Sequence, residues 1–290
     1  MQAIQLKVQD IQSAIREHLA RGSEPFLVRG DGMPLLDAPL IGIQQASHPV
    51  FERLVLLIPG HLHPYQIAGT SPNFPGSANT PIFSVLSIAF PFNSETATEN
   101  GAEVTVPSLS WLETKWKCGL IFEKVHRFLR DYLGEYGIDT IRIQDTPLYR
   151  EWDEQGGPRA ANWSERHVGY ACGLGTFGLH GALITEKGAS HRLMSLLVAC
   201  TFDSYGKVAD NPFDNCLYLT RGTCGVCMER CPTGAITEKS HSIVLCREQT
   251  HHRHHISVET FHGPQIVRGC GLCMTGVPCA TRIPSSNGRG

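Results

Sequence analysis

The first regular pattern along the chain is helical. In residues 8–21, V-Q-D-I-Q-S-A-I-R-E-H-L-A-R, the apolar positions Val8, Ile11, Ile15 and Leu19 recur every three or four residues, and Gly22 follows as a stop. This spacing predicts an amphipathic helix packed on the body of the protein. Residues 26–43 break into short apolar runs separated by Gly and Pro, which predicts strands and turns. Residues 53–58, R-L-V-L-L-I, predict a buried strand ending at Pro59-Gly60, and residues 82–90, I-F-S-V-L-S-I-A-F, a second one ended by Pro91. The polar stretch 93–108 between them and the next element predicts an exposed loop.

Leu112, Trp116, Ile121, Val125, Phe128, Leu129 and Tyr132 return to helical spacing and predict a long helix from about Ser110 to Leu133. Ser110 with Glu113 supplies a capping box, Gly134 and Gly137 end the helix, and Cys118 inside it reads as a small buried hydrophobe. A strand at 141–144 leads to Asp145-Thr146-Pro147. Trp163–Ala171 reads as a helix, Ala182–Thr185 as a strand, 193–200 as a further apolar element, and the polar segment 203–215 as a linker.

Composition and charge narrow the class. With 290 residues, 41% hydrophobic and 18% charged, the chain resembles an ordinary soluble protein able to bury a real core. No apolar run reaches the roughly 18–20 residues that span a bilayer, so no membrane association is expected. A net charge of −2 gives no global electrostatic draw to nucleic acid. The N-terminus shows no basic segment followed by an apolar run, so no secretory signal is expected and the chain reads as cytoplasmic.

Candidate chemistry concentrates in the last quarter. Cys216, Cys224, Cys227, Cys231, Cys246, Cys270, Cys273 and Cys279 fall within 64 positions, which is a metal-binding rather than a disulfide signature in a reducing compartment. Eight thiolates suit two four-iron clusters with none left over, and Pro232 after Cys231 fits the ferredoxin run in which the Cys before Pro ligates the other cluster. Structural zinc also uses C-x2-C pairs, but does not account for C-P-T-G-A-I. Gly173, Gly175 and Gly178 match G-x-G-x-x-G, yet the helix precedes and the strand follows, the reverse of a dinucleotide fingerprint. Two readings of these glycines stay open: a backbone passing close to a flat cofactor or a packed helix, and a structural turn. His61 and His63, spaced as metal ligands but with no carboxylate nearby, read as structural. The run 251–255, H-H-R-H-H, reads as a solvated loop or helix end.

The ordered combination of G-L-G-T-F-G-L-H-G-A-L-I-T-E-K-G, then C-G-V-C-M-E-R-C-P-T-G-A-I, a lone Cys246, and G-C-G-L-C resembles the epoxyqueuosine reductase family, whose relatives are the corrinoid reductive dehalogenases. The resemblance is clearest from Asp145 to Cys279. It implies an α+β chain: a nitroreductase-like α/β cofactor and substrate domain over residues 1–205, then a ferredoxin-like domain with two [4Fe–4S] clusters over 206–290. It implies that Cys224, Cys227 and Cys279 hold one cluster, and Cys231, Cys246, Cys270 and Cys273 the other. Arg221 stands where the family has its first cysteine, so Cys216 is the natural fourth ligand. The loop of Gly173, Leu174, Gly175 and Gly178 would lie against a cobalamin. Asp145 would donate a proton in a substrate pocket near Tyr149 and Tyr170, although Asp145 also suits a plain turn before Thr-Pro. A low-potential flavodoxin, ferredoxin or reductase would supply electrons, and the substrate would be a small molecule or tRNA. The irregular cysteine spacings place the chain in a divergent branch. The alternative is a ferredoxin-type electron-transfer protein serving a partner enzyme, without a corrinoid.

Overall fold

The computed structural model describes residues 5–22, 27–72, 74, 83–153, 159–251, 267 and 269–285. After a two-residue strand β1 (Gln5–Leu6), the expected amphipathic helix forms as α1 (Val8–Arg21), with Ile11 and Ile15 fully buried. Strand β2 (Leu40–Gln45) follows.

Residues 53–58 are not a strand. They belong to helix α2 (Pro49–Leu57), whose first turn is set by Pro49 and by the His48 side chain accepting the Val50 N–H. Val50, Phe51 and Leu54 are buried, whereas Leu56 and Leu57 are 84% and 75% exposed. An apolar run of this length is compatible with either element, and the inward positions here keep helical spacing. A short helix α3 (Pro64–Ala68) precedes the fully buried strand β3 (Ser84–Pro91), where the predicted second strand lies.

The polar stretch 93–108 is also not a loop throughout. Asn93 caps helix α4 (Ser94–Ala102) by accepting the Glu95 N–H, and Thr96, Ala97 and Asn100 are buried. Its inward face is too polar for hydrophobic patterning to mark it. The long helix forms as α5 (Leu109–Gly134), capped by Ser108, which accepts the Trp111 N–H at 3.2 Å, rather than by Ser110. Glu113 instead pairs with Lys117 one turn on, at 2.7 Å. Cys118 is fully buried, and burial pushes its thiol up to about 12.

The strand expected at 141–144 is only β4 (Thr140–Ile141), followed by a 3-10 turn at Ile143–Asp145. A hairpin β5 (Glu151–Asp153) and β6 (Arg159–Ala161) leads to α6 (Glu165–Ala171), the hairpin β7 (Gly175–Phe177) and β8 (Leu183–Thr185), β9 (His191–Val198) and β10 (Thr201–Phe202).

The main sheet has the order β2-β3-β9-β4, with every neighbour antiparallel. Side chains alternate across it. Leu86, Ile88 and Phe90 of β3 and Met194, Leu196 and Val198 of β9 meet Ile11, Ile15, Ile121 and Val125 of α1 and α5. On the opposite face Val85 and Leu197 meet Phe51, Ile67, Val168 and Ala171 of α2, α3 and α6. The result is a mixed α and β core of helices on both sides of one sheet, each buried Leu, Ile or Phe contributing about 1.5–3 kcal/mol.

The cysteine-bearing segment carries α7 (Leu217–Arg221), α8 (Val226–Glu229), α9 (Ile243–His251) and a 3-10 turn at Leu272–Met274. It is fastened to the core by backbone and side-chain bonds. The N–H of Ala189 and that of Ser190 donate to the Cys279 and Ala280 carbonyls at 2.8 and 3.0 Å. Asn100 donates to Thr275 Oγ1 at 2.9 Å, and Arg230 donates to the Leu272 and Glu103 carbonyls. Residues 203–215 form no helix or strand, as expected, yet are held down: Gly206 N–H donates to Ile43 O and Phe177 N–H to Pro212 O, both at 2.7 Å.

Candidate metal centres

Eight of the eleven cysteines face two cavities, four to each. Cys216 stands at the start of α7, Cys224 and Cys227 flank Gly225 at the start of α8, and Cys279 follows Pro278; these four line a small cavity with Leu179, Ile184 and Val277. The turn between them needs Gly222 and Gly225, at φ 66° and 148°. Cys231 follows α8, Cys246 lies in α9, and Cys270 and Cys273 bracket Gly271; these four line a larger cavity of about 530 Å3. Cys118, Cys172 and Cys200 are buried elsewhere.

The electrostatics follow this division except at Cys273, which also feels Cys227. Burial pushes Cys279 up to about 12 and Cys227 up to about 11; the neighbouring sulfurs of their own four add to it, Cys216 and Cys224 in both cases. Burial pushes Cys270 up to about 11, with Cys246 and Cys231 adding to the rise. Cys273 is raised well above the ordinary thiol value by burial and then by Cys270, Cys246 and Cys231, with a further contribution from Cys227 of the first group. Cys231 is the exception. Burial works against its thiolate, but the Thr233 hydroxyl and the N–H groups of Thr233, Ile236 and Ala235 outweigh it and lower the pKa. These donors come from the C-P-T-G-A-I turn. Four thiolates crowded together repel each other and require a bound cation or cluster. Among the described residues, no three His, Cys, Asp or Glu side chains converge closely enough for a single metal ion. Thiolates around a four-iron cluster stand farther apart than the ligands of one ion.

The larger cavity has a wall that the sequence did not single out as functional. Glu165 and Arg166, at the start of α6, line it opposite the cysteines, with Lys115, His180 and His191. Burial pushes Glu165 up to about 7, against hydrogen bonding from Ser195 and Gln144. Gln144 donates to Glu165 Oε1 at 3.1 Å, while Oε2 is buried with no hydrogen-bond partner among the described residues. Arg166 donates to Gly181 O at 2.7 Å; burial lowers its pKa and Cys246 opposes that shift. The sequence signal was weak, a Ser-Glu-Arg at a helix start, where an acidic residue is ordinary capping.

The other predicted site residues lie elsewhere. Asp145 ends the 3-10 turn, with its carboxylate half-exposed. Arg142 Nη2 donates to it at 2.7 Å and His126 Nδ1 stands 3.6 Å away. The Tyr149 hydroxyl donates to Glu151, and the Tyr170 hydroxyl to Ala209 O at 2.7 Å. None of the three lines the cysteine cavity. The glycine loop is packed against the chain itself. A Cβ at Gly173 would stand 2.9 Å from Gly206, one at Gly175 would stand 2.2 Å from Ile184 O, and one at Gly178 would stand 2.7 Å from the His180 ring. Leu174 is buried among Leu40, Ala89, Leu183 and Leu193. Protein atoms therefore stand where a side chain would begin at Gly173, Gly175 and Gly178, so each of these positions requires glycine.

His61 and His63 are structural. Ser164 N–H donates to His61 Nε2 at 3.2 Å, and His61 Nδ1 pairs with Leu62 O. His63 caps α3 in a capping box with Gln66. Residues 252–255 of the histidine run lie outside the described residues.

No family model matches the chain, and no curated protein matches it. Among solved structures, an epoxyqueuosine reductase from Bacillus subtilis is similar at 16% identity and a TM-score of 0.46, over 96% of this chain and 67% of that one. An epoxyqueuosine reductase with an epoxyqueuosine-modified tRNA-Tyr stem loop is similar at 16% identity and a TM-score of 0.39, over 81% of this chain and 55% of that one. A catabolic reductive dehalogenase is similar at 12% identity and a TM-score of 0.48, over 94% of this chain and 37% of that one. The chain thus spans between about a third and two thirds of these proteins' lengths. Among the described residues, no helix is long and apolar enough to cross a membrane.

Proposed function

We propose that this protein is an iron–sulfur oxidoreductase holding two [4Fe–4S] clusters. One would be held by Cys216, Cys224, Cys227 and Cys279, the other by Cys231, Cys246, Cys270 and Cys273. The observation that carries the proposal is the division of eight cysteines into two fours, each lining its own cavity. Cys231 and Cys279 are exchanged between the two cysteine runs, the crossed ligation of two-cluster ferredoxins. On this view residues 206–290 form the cluster-bearing part and residues 1–205 the cofactor and substrate part.

When bound, the clusters supply one-electron transfer, drawing on a low-potential flavodoxin, ferredoxin or reductase. The chain's own residues shape the receiving end. The cavity of about 530 Å3 beside the second four is within the usual size for a small-molecule site. Arg166 and Lys115 place positive charge near Cys246 and Cys270, offsetting the thiolates. Glu165, held near neutrality by burial, keeps a proton at the wall of that cavity for a reductive step. Asp145, suggested for that role by resemblance, is instead engaged by Arg142 outside the cavity. The reactant is a small molecule, or the nucleoside end of a tRNA, small enough for this space. The second reading is an electron-transfer protein serving a partner enzyme, without a corrinoid or a substrate of its own.

Anaerobic purification from cells supplied with cobalamin tests both. About eight iron per chain supports the two-cluster proposal. Stoichiometric cobalt alongside would show that a corrinoid is bound, and zinc without iron would end both readings.

A further inference from the structure

His180 lies between the two groups of cysteines. It belongs to the wall of the small cavity with Cys216, Cys224, Cys227 and Cys279, and to the wall of the larger one with Cys231, Cys246, Cys270 and Cys273. Its ring is locked from both ends. The backbone N–H of Ala182 donates to Nδ1 at 3.0 Å. A backbone amide can only donate, so Nδ1 is an acceptor and the neutral ring carries its proton on Nε2. Nε2 stands 3.4 Å from Cys279 Sγ, and the only hydrogen it can offer points to that sulfur. A tight turn seats the ring: Gly181 N–H donates to Gly178 O and Gly178 N–H to Ala182 O, at 2.8 and 2.9 Å. Gly178 is required because a Cβ there would stand 2.7 Å from the ring. The third glycine of the G-x-G-x-x-G string thus makes room for a histidine of the chain itself.

We propose that His180 is a positioning residue that donates a hydrogen bond to the Cys279 ligand and sets the reduction potential of the cluster held by Cys216, Cys224, Cys227 and Cys279. This rests on the two-cluster reading above. Reduction adds negative charge to the cluster and its sulfurs. An N–H donor aimed at one of those sulfurs favours the reduced state and raises the potential.

The test is an EPR-monitored redox titration of the anaerobic full-length protein and of His180→Phe, which keeps an aromatic volume and removes the donor. One midpoint moves to more negative potential, the other stays, and iron remains at the wild-type level. His180→Gln, which can offer an amide N–H, recovers part of the shift. Unchanged midpoints with full iron content overturn the proposal. If His180→Phe loses iron, pulsed EPR of the reduced wild-type protein labelled with 15N-histidine decides: a resolved 15N coupling to one cluster supports the bond, and its absence overturns it. Wild-type protein without iron overturns the two-cluster reading and this inference together.

Discussion

Gly271 lies flat against the indole of Trp111: a Cβ at position 271 would stand 2.2 Å from the ring, and the backbone there is left-handed at φ 74°. Trp111 opens α5, so this contact ties the Cys270–Cys273 turn to the helix that covers the main sheet. Gly271→Ala therefore meets both a clash and a strained backbone, at a cost of about 1–3 kcal/mol for the strain alone. The second four-cysteine group should be lost first. Iron should fall from about eight to about four per chain, with the EPR signal of one cluster retained; full iron content would contradict the partition.

Cys216 is the ligand with irregular spacing. Cys216→Ser should remove iron from the first group only, whereas Cys200→Ser, at a buried cysteine outside both cavities, should leave iron unchanged. Iron analysis of the two variants side by side separates a ligand from a core thiol. Equal iron in both would remove Cys216 from the set.

Loading should depend on pH in one direction. Cys227, Cys270 and Cys279 are held at about 11, 11 and 12, and each must lose its proton to bind metal. Anaerobic reconstitution should therefore weaken as pH falls. Following the charge-transfer absorbance between pH 6 and 9 checks this, with a flat profile as the contrary result.

Cys118 makes a separate prediction for the metal-free fold. Its thiol is raised to about 12, above an unfolded value of about 8.5. A raised folded pKa contributes stability that is complete below the unfolded value and lost as pH rises toward the folded one. The metal-free chain should lose about 1.4 kcal/mol for each pH unit above about 8.5 from this group. Cys118→Ala should shorten that alkaline limb in thermal melts, while costing some packing at every pH.

Glu165 is raised to about 7 by burial, so the same sign applies. Its neutral form fits the fold, and stability is lost as pH climbs from the ordinary carboxyl range through 7. Glu165→Gln should flatten the melting profile over that window and stabilise the protein at pH 8 by about 3 kcal/mol at most. A reductive step that takes its proton there should also lose its pH dependence near 7.

Much of the framework was legible in the sequence because it rests on local repetition. The spacing of Ile11 and Ile15 and of Ile121, Val125 and Leu129 marks helices by periodicity alone, and the apolar-rich stretch 82–90, interrupted by Ser84 and Ser87, marks a buried strand. The cysteine count and the Cys-Pro step mark a metal-binding segment without any fold. The run 53–58 was ambiguous because five apolar residues in a row suit either element; a cap at His48 and the sheet above it made a helix of it. Helix α4 was hidden because two of its buried residues, Thr96 and Asn100, are polar and find partners 67 and 175 positions away, in Arg29 and Thr275.

The sequence by itself determined that eight thiols would gather, since residue type and spacing state the chemistry. Only the tertiary structure decided what stands around them. At the glycine string, the approach of Gly206, Ile184 and His180 leaves no room for a Cβ at Gly173, Gly175 or Gly178, which the sequence alone did not show. Glu165 and Arg166 carry no periodic or motif signal, and His180, though inside the glycine-rich string, carries none of its own. Their chemistry comes from neighbours that the folding of β9, α9 and the Cys279 turn brings to them, and such fixed distances arise only when the chain has closed around them.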